Sequence, residues 1–384
     1  MNIFNDLAAQ VEKDWSDASY NLEKFPDIAT SALENFKYSF TQADLDKYLA
    51  KWMLASAKLP DQINVHNTFG QPPITLFNNG RFVVDIYIWL NADTSIHSHG
   101  FRGAFRVLHG KSLQEEFTVK TLATIAPDVL LTDMGTPVMS LLKAGDTRTI
   151  LPGKELTHRV IHLENPTVTL CVKTINEAAL SQWNYFPNGL AVRKRHLDPG
   201  LIKQIYYFQY LMGQSADGAL HFVQELLRKC DISTQMNLAE EIASGAYDLT
   251  PEVSELLLEQ IYQPHEDEEW FAAYTGLAEL AQAELHFESC NSPSDRLLGH
   301  FINSGVTLSE AAPFLSELAG HQLFMAEIQA QAVALTDNES LFEAELSAKA
   351  KQALKSVVQN TGVIPKEFES LPQIQKIQKF FISK

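Results

Sequence analysis

The sequence predicts a mixed α+β protein in which an antiparallel β-barrel follows a short helical segment and precedes a large all-α domain. Three observations predict it. Apolar residues recur at helical spacing near the start, at Leu45, Tyr48, Leu49, Trp52 and Met53. From about residue 61 to about 180 the pattern becomes β-branched and aromatic runs punctuated by Gly, Asn, Asp and Pro. From about 197 onward helical patterns return and persist. The expected organisation is therefore 1–60, a helical segment packing on the barrel; 61–190, the barrel; and 197–384, a helical domain.

Each element has a local cause. Thr41-Gln42-Ala43-Asp44 is a helix start, with a capping hydroxyl and an acid in the first turn. Phe82 to Leu90 is the most strand-like run, and Phe101 to Leu108, Val138 to Leu142, Arg148 to Leu151, Arg159 to Leu163 and Val168 to Thr174 are further strands. Turn signals separate them, among them Asn78-Asn79-Gly80, Asn91-Ala92-Asp93, Gly145-Asp146 and Asn165-Pro166. Many short strands with regular turns describe a sandwich or barrel. In the last third, Thr250-Pro251-Glu252 and Thr307-Leu308-Ser309-Glu310 have helix-capping patterns.

Composition excludes several functions. The 384 residues carry 30 basic and 47 acidic side chains, a net charge of −17, which repels nucleic acid and anionic lipid. No apolar run reaches the roughly 18–20 residues that cross a bilayer, and the first residues lack a secretory pattern, so the expected location is cytoplasmic. Cys171, Cys230 and Cys290 are sparse and form no C-x-x-C pair, which excludes a disulfide framework and a zinc ribbon. Val192-Arg193-Lys194-Arg195-His196 reads as a solvated linker, and the fifteen acids between Asp231 and Asp295, without one Lys or Arg, as a solvated helix face. No P-loop, dinucleotide glycine motif, Gly-x-Ser-x-Gly elbow or paired Glu-x-x-His occurs.

The chemistry concentrates in Thr94-Ser95-Ile96-His97-Ser98-His99-Gly100-Phe101-Arg102-Gly103-Ala104-Phe105-Arg106-Val107. Residues two apart on a strand face the same side, so His97 and His99 aim into one interior, followed at the same parity by Phe101, Gly103, Phe105 and Val107. Two converging imidazoles are half of a first-row metal site, here beside an apolar wall. Three residues separate His99 from Gly103 and six separate Gly103 from Gly110. This stretch resembles the first motif of the cupin superfamily, with glycine at the position of the usual glutamate.

The resemblance implies a cupin-like jelly-roll barrel whose metal is held by three histidines and no carboxylate, as in cysteine dioxygenase and the wider thiol dioxygenases. Gly103 in place of the carboxylate implies room on the metal's inner face. The third ligand is expected from Thr157-His158-Arg159-Val160-Ile161-His162-Leu163-Glu164-Asn165-Pro166, which resembles the second cupin motif. His158 and His162 share parity. A hairpin closing on Asn165-Pro166 places His162 opposite Thr169, about where the family's ligand faces its partner strand, so the resemblance favours His162, with His158 as the alternate. The substrate arginine of the thiol dioxygenases has no counterpart in Pro73-Ile74-Thr75-Leu76-Phe77, and the later His and Tyr of those enzymes align roughly with Cys171 and Lys173.

The expected function is thus a non-haem Fe(II) oxygenase, with Zn or Ni as other metals, acting with dioxygen on a small thiol or another chelating molecule. Tyr87 is the candidate catalytic residue, a hydrogen-bond donor to oxygen or substrate if its side of the strand faces inward. The alternative is a ligand-sensing or scaffolding cupin whose helical domain binds a protein partner or a second copy.

Overall fold

Alternation along Phe82–Trp89 decides how the layers stack. In the computed structural model Val84 and Ile86 face a core shared with the N-terminal helices, while Tyr87 and Trp89 face a second core between two sheets. The structure describes residues 3–55, 58–63, 70, 73–90, 94–175, 177, 180–266, 268, 270, 290, 292–337, 347–359, 366–368 and 370–382. The turn expected at Asn91-Ala92-Asp93 and much of the acidic stretch lie outside them.

Three helices come first: α1 (Ile3–Asp17), α2 (Phe25–Glu34) and α3 (Gln42–Ala55). Thirteen strands follow among the described residues. They are β1 (Ile74–Asn78), β2 (Phe82–Trp89), β3 (Ile96–His99), β4 (Gly103–His109), β5 (Lys111–Phe117), β6 (Val119–Ala126) and β7 (Val129–Met134), then β8 (Val138–Lys143), β9 (Thr147–Ile150), β10 (Gly153–His162), β11 (Thr167–Thr174), β12 (Trp183–Tyr185) and β13 (Leu190–Arg193). They form a five-stranded sheet in the order β1-β2-β11-β4-β9 and an eight-stranded sheet in the order β6-β7-β13-β12-β3-β10-β5-β8. The ladders are antiparallel, and the whole is a mixed α+β fold built on a cupin-like jelly roll.

The outer face of the five-stranded sheet is closed by α1 and α2, with Phe4, Trp15, Phe25 and Leu33 against Phe82, Val84, Leu170 and Val172. The later helices close the other sheet in two separate cores. Helices α4 (Pro199–Met212), α5 (Ala216–Leu227), α6 (Ile232–Ala243) and α7 (Pro251–Tyr262) pack on Val129, Leu190 and Val192. Helices α8 (Pro293–Ser304), α9 (Leu308–Ala319), α10 (Met325–Asp337), α11 (Ala348–Val358) and α12 (Pro372–Ile382) pack with Leu113, Ile161 and Leu163. The capping signals are used: Val253 N–H donates to Thr250, and Thr307 and Glu310 form a reciprocal box. No helix among the described residues is long and apolar enough to cross a membrane.

Two local readings change. Val192 and Arg193 belong to β13 rather than to a linker, and Arg193 and Arg195 both pair with the buried Asp128. The segment through Asn165-Pro166 is not a hairpin turn either. Strand β10 pairs with β3 and β5, β11 pairs with β2 and β4, and the segment between them crosses from one sheet to the other.

Candidate metal centre

His97 and His99 share one side of β3, as their spacing requires, and both are almost wholly buried. Their ring centroids are 4.7 Å apart. The third imidazole comes from β10, where His158 is the Cα partner of His97. Its ring lies 4.9 Å from His97 and 4.9 Å from His99. One nitrogen from each of the three lies within 4.8 Å of the others, the single group of metal-ligand type among the described residues.

His162, which the resemblance favours, lies elsewhere. It stacks on Trp89 with centroids 4.4 Å apart, and its Nδ1 is 3.0 Å from Ser112 Oγ. The reason is topological: the expected hairpin register with Thr169 does not exist, and the β3–β10 register brings His158 to the pair.

Electrostatics suit a cation. Burial pushes His97 down to about 4 and His162 to about 3, and holds His99 and His158 well below the ordinary imidazole value. All three clustered rings are neutral at pH 7 and keep a lone pair. His97 Nδ1 lies 2.8 Å from the Ser95 carbonyl oxygen, which fixes the proton there and turns Nε2 into the acceptor. The buried Nδ1 atoms of His99 and His158 have no hydrogen-bond partner among the described residues. Three neutral rings at this spacing fit a divalent first-row metal better than a hydrogen-bonded network, which would pair those nitrogens.

The apolar wall read from parity is present, although the strand breaks at Gly100 and the chain changes sheet before β4. Phe101 stands 5.0 Å from His99, and Phe105 and Val107 join Tyr87, Trp89 and Ile150 in the core between the sheets. Gly103 has another reason to be small. A Cβ there would meet Val172 O at 2.1 Å and Lys173 Cα at 2.9 Å, so the glycine permits close contact of β4 with β11 and opens no space toward the histidines.

Tyr87 does face inward, and its hydroxyl is engaged with Lys173 Nζ and, at 3.5 Å, with Asp85 Oδ2. Lys173 also pairs with Asp85 Oδ2 at 2.9 Å, and both residues are buried. Burial works against the Lys173 charge, but Tyr87 and the Asp85 carboxylate hold its pKa above the ordinary value. Burial likewise raises the Tyr87 phenol and pushes the Cys171 thiol up to about 12, so both stay protonated. Sequence reasoning missed Lys173 as an interior cation. A signal was available, since Thr169, Cys171 and Lys173 share parity in an otherwise apolar strand. The nearby arginines are occupied: Arg81 with Glu12, Arg102 with Glu23 and Glu177, and Arg106 with Thr147.

Fold and site together define a jelly-roll-like barrel of two antiparallel sheets with a buried three-histidine group. No protein-family model and no curated protein matches the chain. Among solved structures, it is similar to a DMSP lyase at 19% identity, aligned over 26% of this chain and 42% of the other with a TM-score of 0.18. It is similar to hydroquinone 1,2-dioxygenase from a Sphingomonas species at 12% identity, over 28% of this chain and 68% of the other, TM-score 0.23. The Drosophila melanogaster CENP-C cupin domain aligns at 13% identity over 36% of this chain and 99% of the other, TM-score 0.19. The chain thus spans less than half the length of the lyase it matches.

Proposed function

We propose that this protein is a metal-dependent cupin oxidoreductase in which His97, His99 and His158 hold a divalent metal, Fe(II), and a small chelating molecule reacts with dioxygen. The observation that carries the reading is the convergence of three buried, neutral imidazoles within 4.8 Å. A redox-active metal held by these three neutral nitrogens would supply dioxygen chemistry.

The chain's own residues do the rest. Ser95 orients His97 through its Nδ1 proton. Phe101, Phe105 and Val107 exclude water from the interior, which strengthens every polar interaction there. Tyr87 keeps its phenolic proton and acts as a positioning residue, holding Lys173 Nζ in a fixed place beside Asp85.

Elemental analysis of anaerobically purified protein tests the proposal, with His158→Ala as the control. The expected result is about one iron per chain, lost in the variant, followed by oxygen uptake in a screen of small thiols and chelating acids. Wild-type protein that holds no metal after reconstitution overturns it.

A further inference from the structure

Strand β11 places an ammonium group where a barrel interior ordinarily carries hydrocarbon. Lys173 is 5% exposed, and burying a charge is costly unless partners compensate it. Its Nζ has three protons to donate. Two have partners in Asp85 and Tyr87, and the third has none among the described residues. Lys173 also lines a cleft of about 820 Å³, together with Gly80, Gly100, Phe101, Thr174 and Gln182. Phe101 links cleft and histidines, its ring 5.2 Å from Lys173 Nζ and 5.0 Å from the His99 ring.

We infer that Lys173 docks the anionic end of a small bifunctional ligand, one carrying a carboxylate at one end and a metal-chelating donor at the other. The inference rests on the metal reading above and names its substrate class. A cation with an unused donor at a cleft wall is a carboxylate site, since a charge-assisted hydrogen bond is strongest away from water. Asp85 sharpens the selection. It already compensates Lys173, so a lone carboxylate gains little, and a ligand must add a second anchor at the histidines to bind well. The arginines near the site are committed to other partners, which leaves Lys173 for the task.

The test uses full-length Co(II)-loaded protein under anaerobic conditions, titrated with mercaptoacetate and with its uncharged analogue mercaptoethanol, followed by thiolate-to-cobalt absorption. Wild type is expected to bind mercaptoacetate about tenfold or more tightly than mercaptoethanol, the ratio one charge-assisted hydrogen bond gives. Lys173→Met alone leaves Asp85 unpaired and is liable to misfold, so the working variant is Lys173→Met with Asp85→Asn, which removes both charges at once. It is expected to abolish the preference while keeping cobalt and the mercaptoethanol affinity, and Lys173→Arg is expected to restore part of the preference. A preference that survives in the double variant, or none in wild type, overturns the Lys173 assignment and leaves the metal centre standing. Failure of wild type to bind Co(II) through histidine overturns the metal reading and this inference with it.

Discussion

His158 lies directly across the β3–β10 ladder from His97, and this one register pairing completes the three-histidine group. Four residues further along β10, His162 points into the same interior but meets Trp89 and Ser112 instead. Strand parity treats the two residues alike, and only the pairing of β10 with β3 separates them.

Substitution distinguishes them. His158→Ala is expected to abolish stoichiometric metal while the protein stays folded. His162→Ala is expected to keep the metal and lose about 1–3 kcal/mol of stability, through the cavity against Trp89 and the lost Ser112 contact. Metal analysis beside chemical denaturation checks both. Full metal in His158→Ala contradicts the assignment.

The same burial makes the metal-free protein acid-sensitive. The folded pKa values of His97, about 4, and His162, about 3, lie below the unfolded value near 6.5, and those of His99 and His158 are depressed too. Below 6.5 the unfolded chain binds protons that the folded one refuses, so stability is full above about pH 6.5 and falls as pH drops toward 4. Each such histidine contributes up to about 1.4 kcal/mol per pH unit in that window. Denaturation midpoints of apo protein between pH 7 and 4.5 are expected to fall, and His162→Phe to lessen the slope by about one proton.

Gly103 and Gly80 provide a paired test of backbone contact. Gly103→Ala places a Cβ 2.1 Å from Val172 O and is expected to cost about 3 kcal/mol or more, because β4 and β11 must separate. Gly80, at φ +80° with nothing among the described residues within 4 Å of an added methyl, is expected to lose through its left-handed backbone, about 1–2 kcal/mol. Equal costs in thermal or urea denaturation would contradict the close-approach explanation.

A buried carboxylate joins α8 to the barrel. Glu115 is wholly buried, pairs with Arg159, and accepts from His300 Nε2 at 2.9 Å. Burial alone would raise its pKa, yet His300 and Arg159 bring it down to about 2. Its contribution is therefore present above the unfolded value near 4.3 and lost as pH falls through about 2. Glu115→Ala leaves the Arg159 guanidinium without its carboxylate and removes the His300 contact, and is expected to cost about 3–5 kcal/mol, with faster hydrogen exchange in α8 than in α5. Uniform exchange across both helices would argue against a local tether.

Much of this protein was legible in its sequence because the signals are local. A two-residue period put His97 and His99 on one side of a strand, β-branched and aromatic runs marked β2 and β11, and capping hydroxyls marked the starts of α7 and α9. Those features depend on residues within a turn or strand of one another, which neighbouring side chains alone can specify. What the tertiary structure decided are contacts between distant segments. They include the choice of His158 over His162, the inward side of Asp85 and Tyr87, the compensated charge on Lys173, and the division of the later helices into two cores. Both histidines satisfy the same periodicity, and both sides of β2 are buried, so periodicity holds no information that separates them. Register and layer packing supply it, because they fix which strand lies opposite and which face meets the helices.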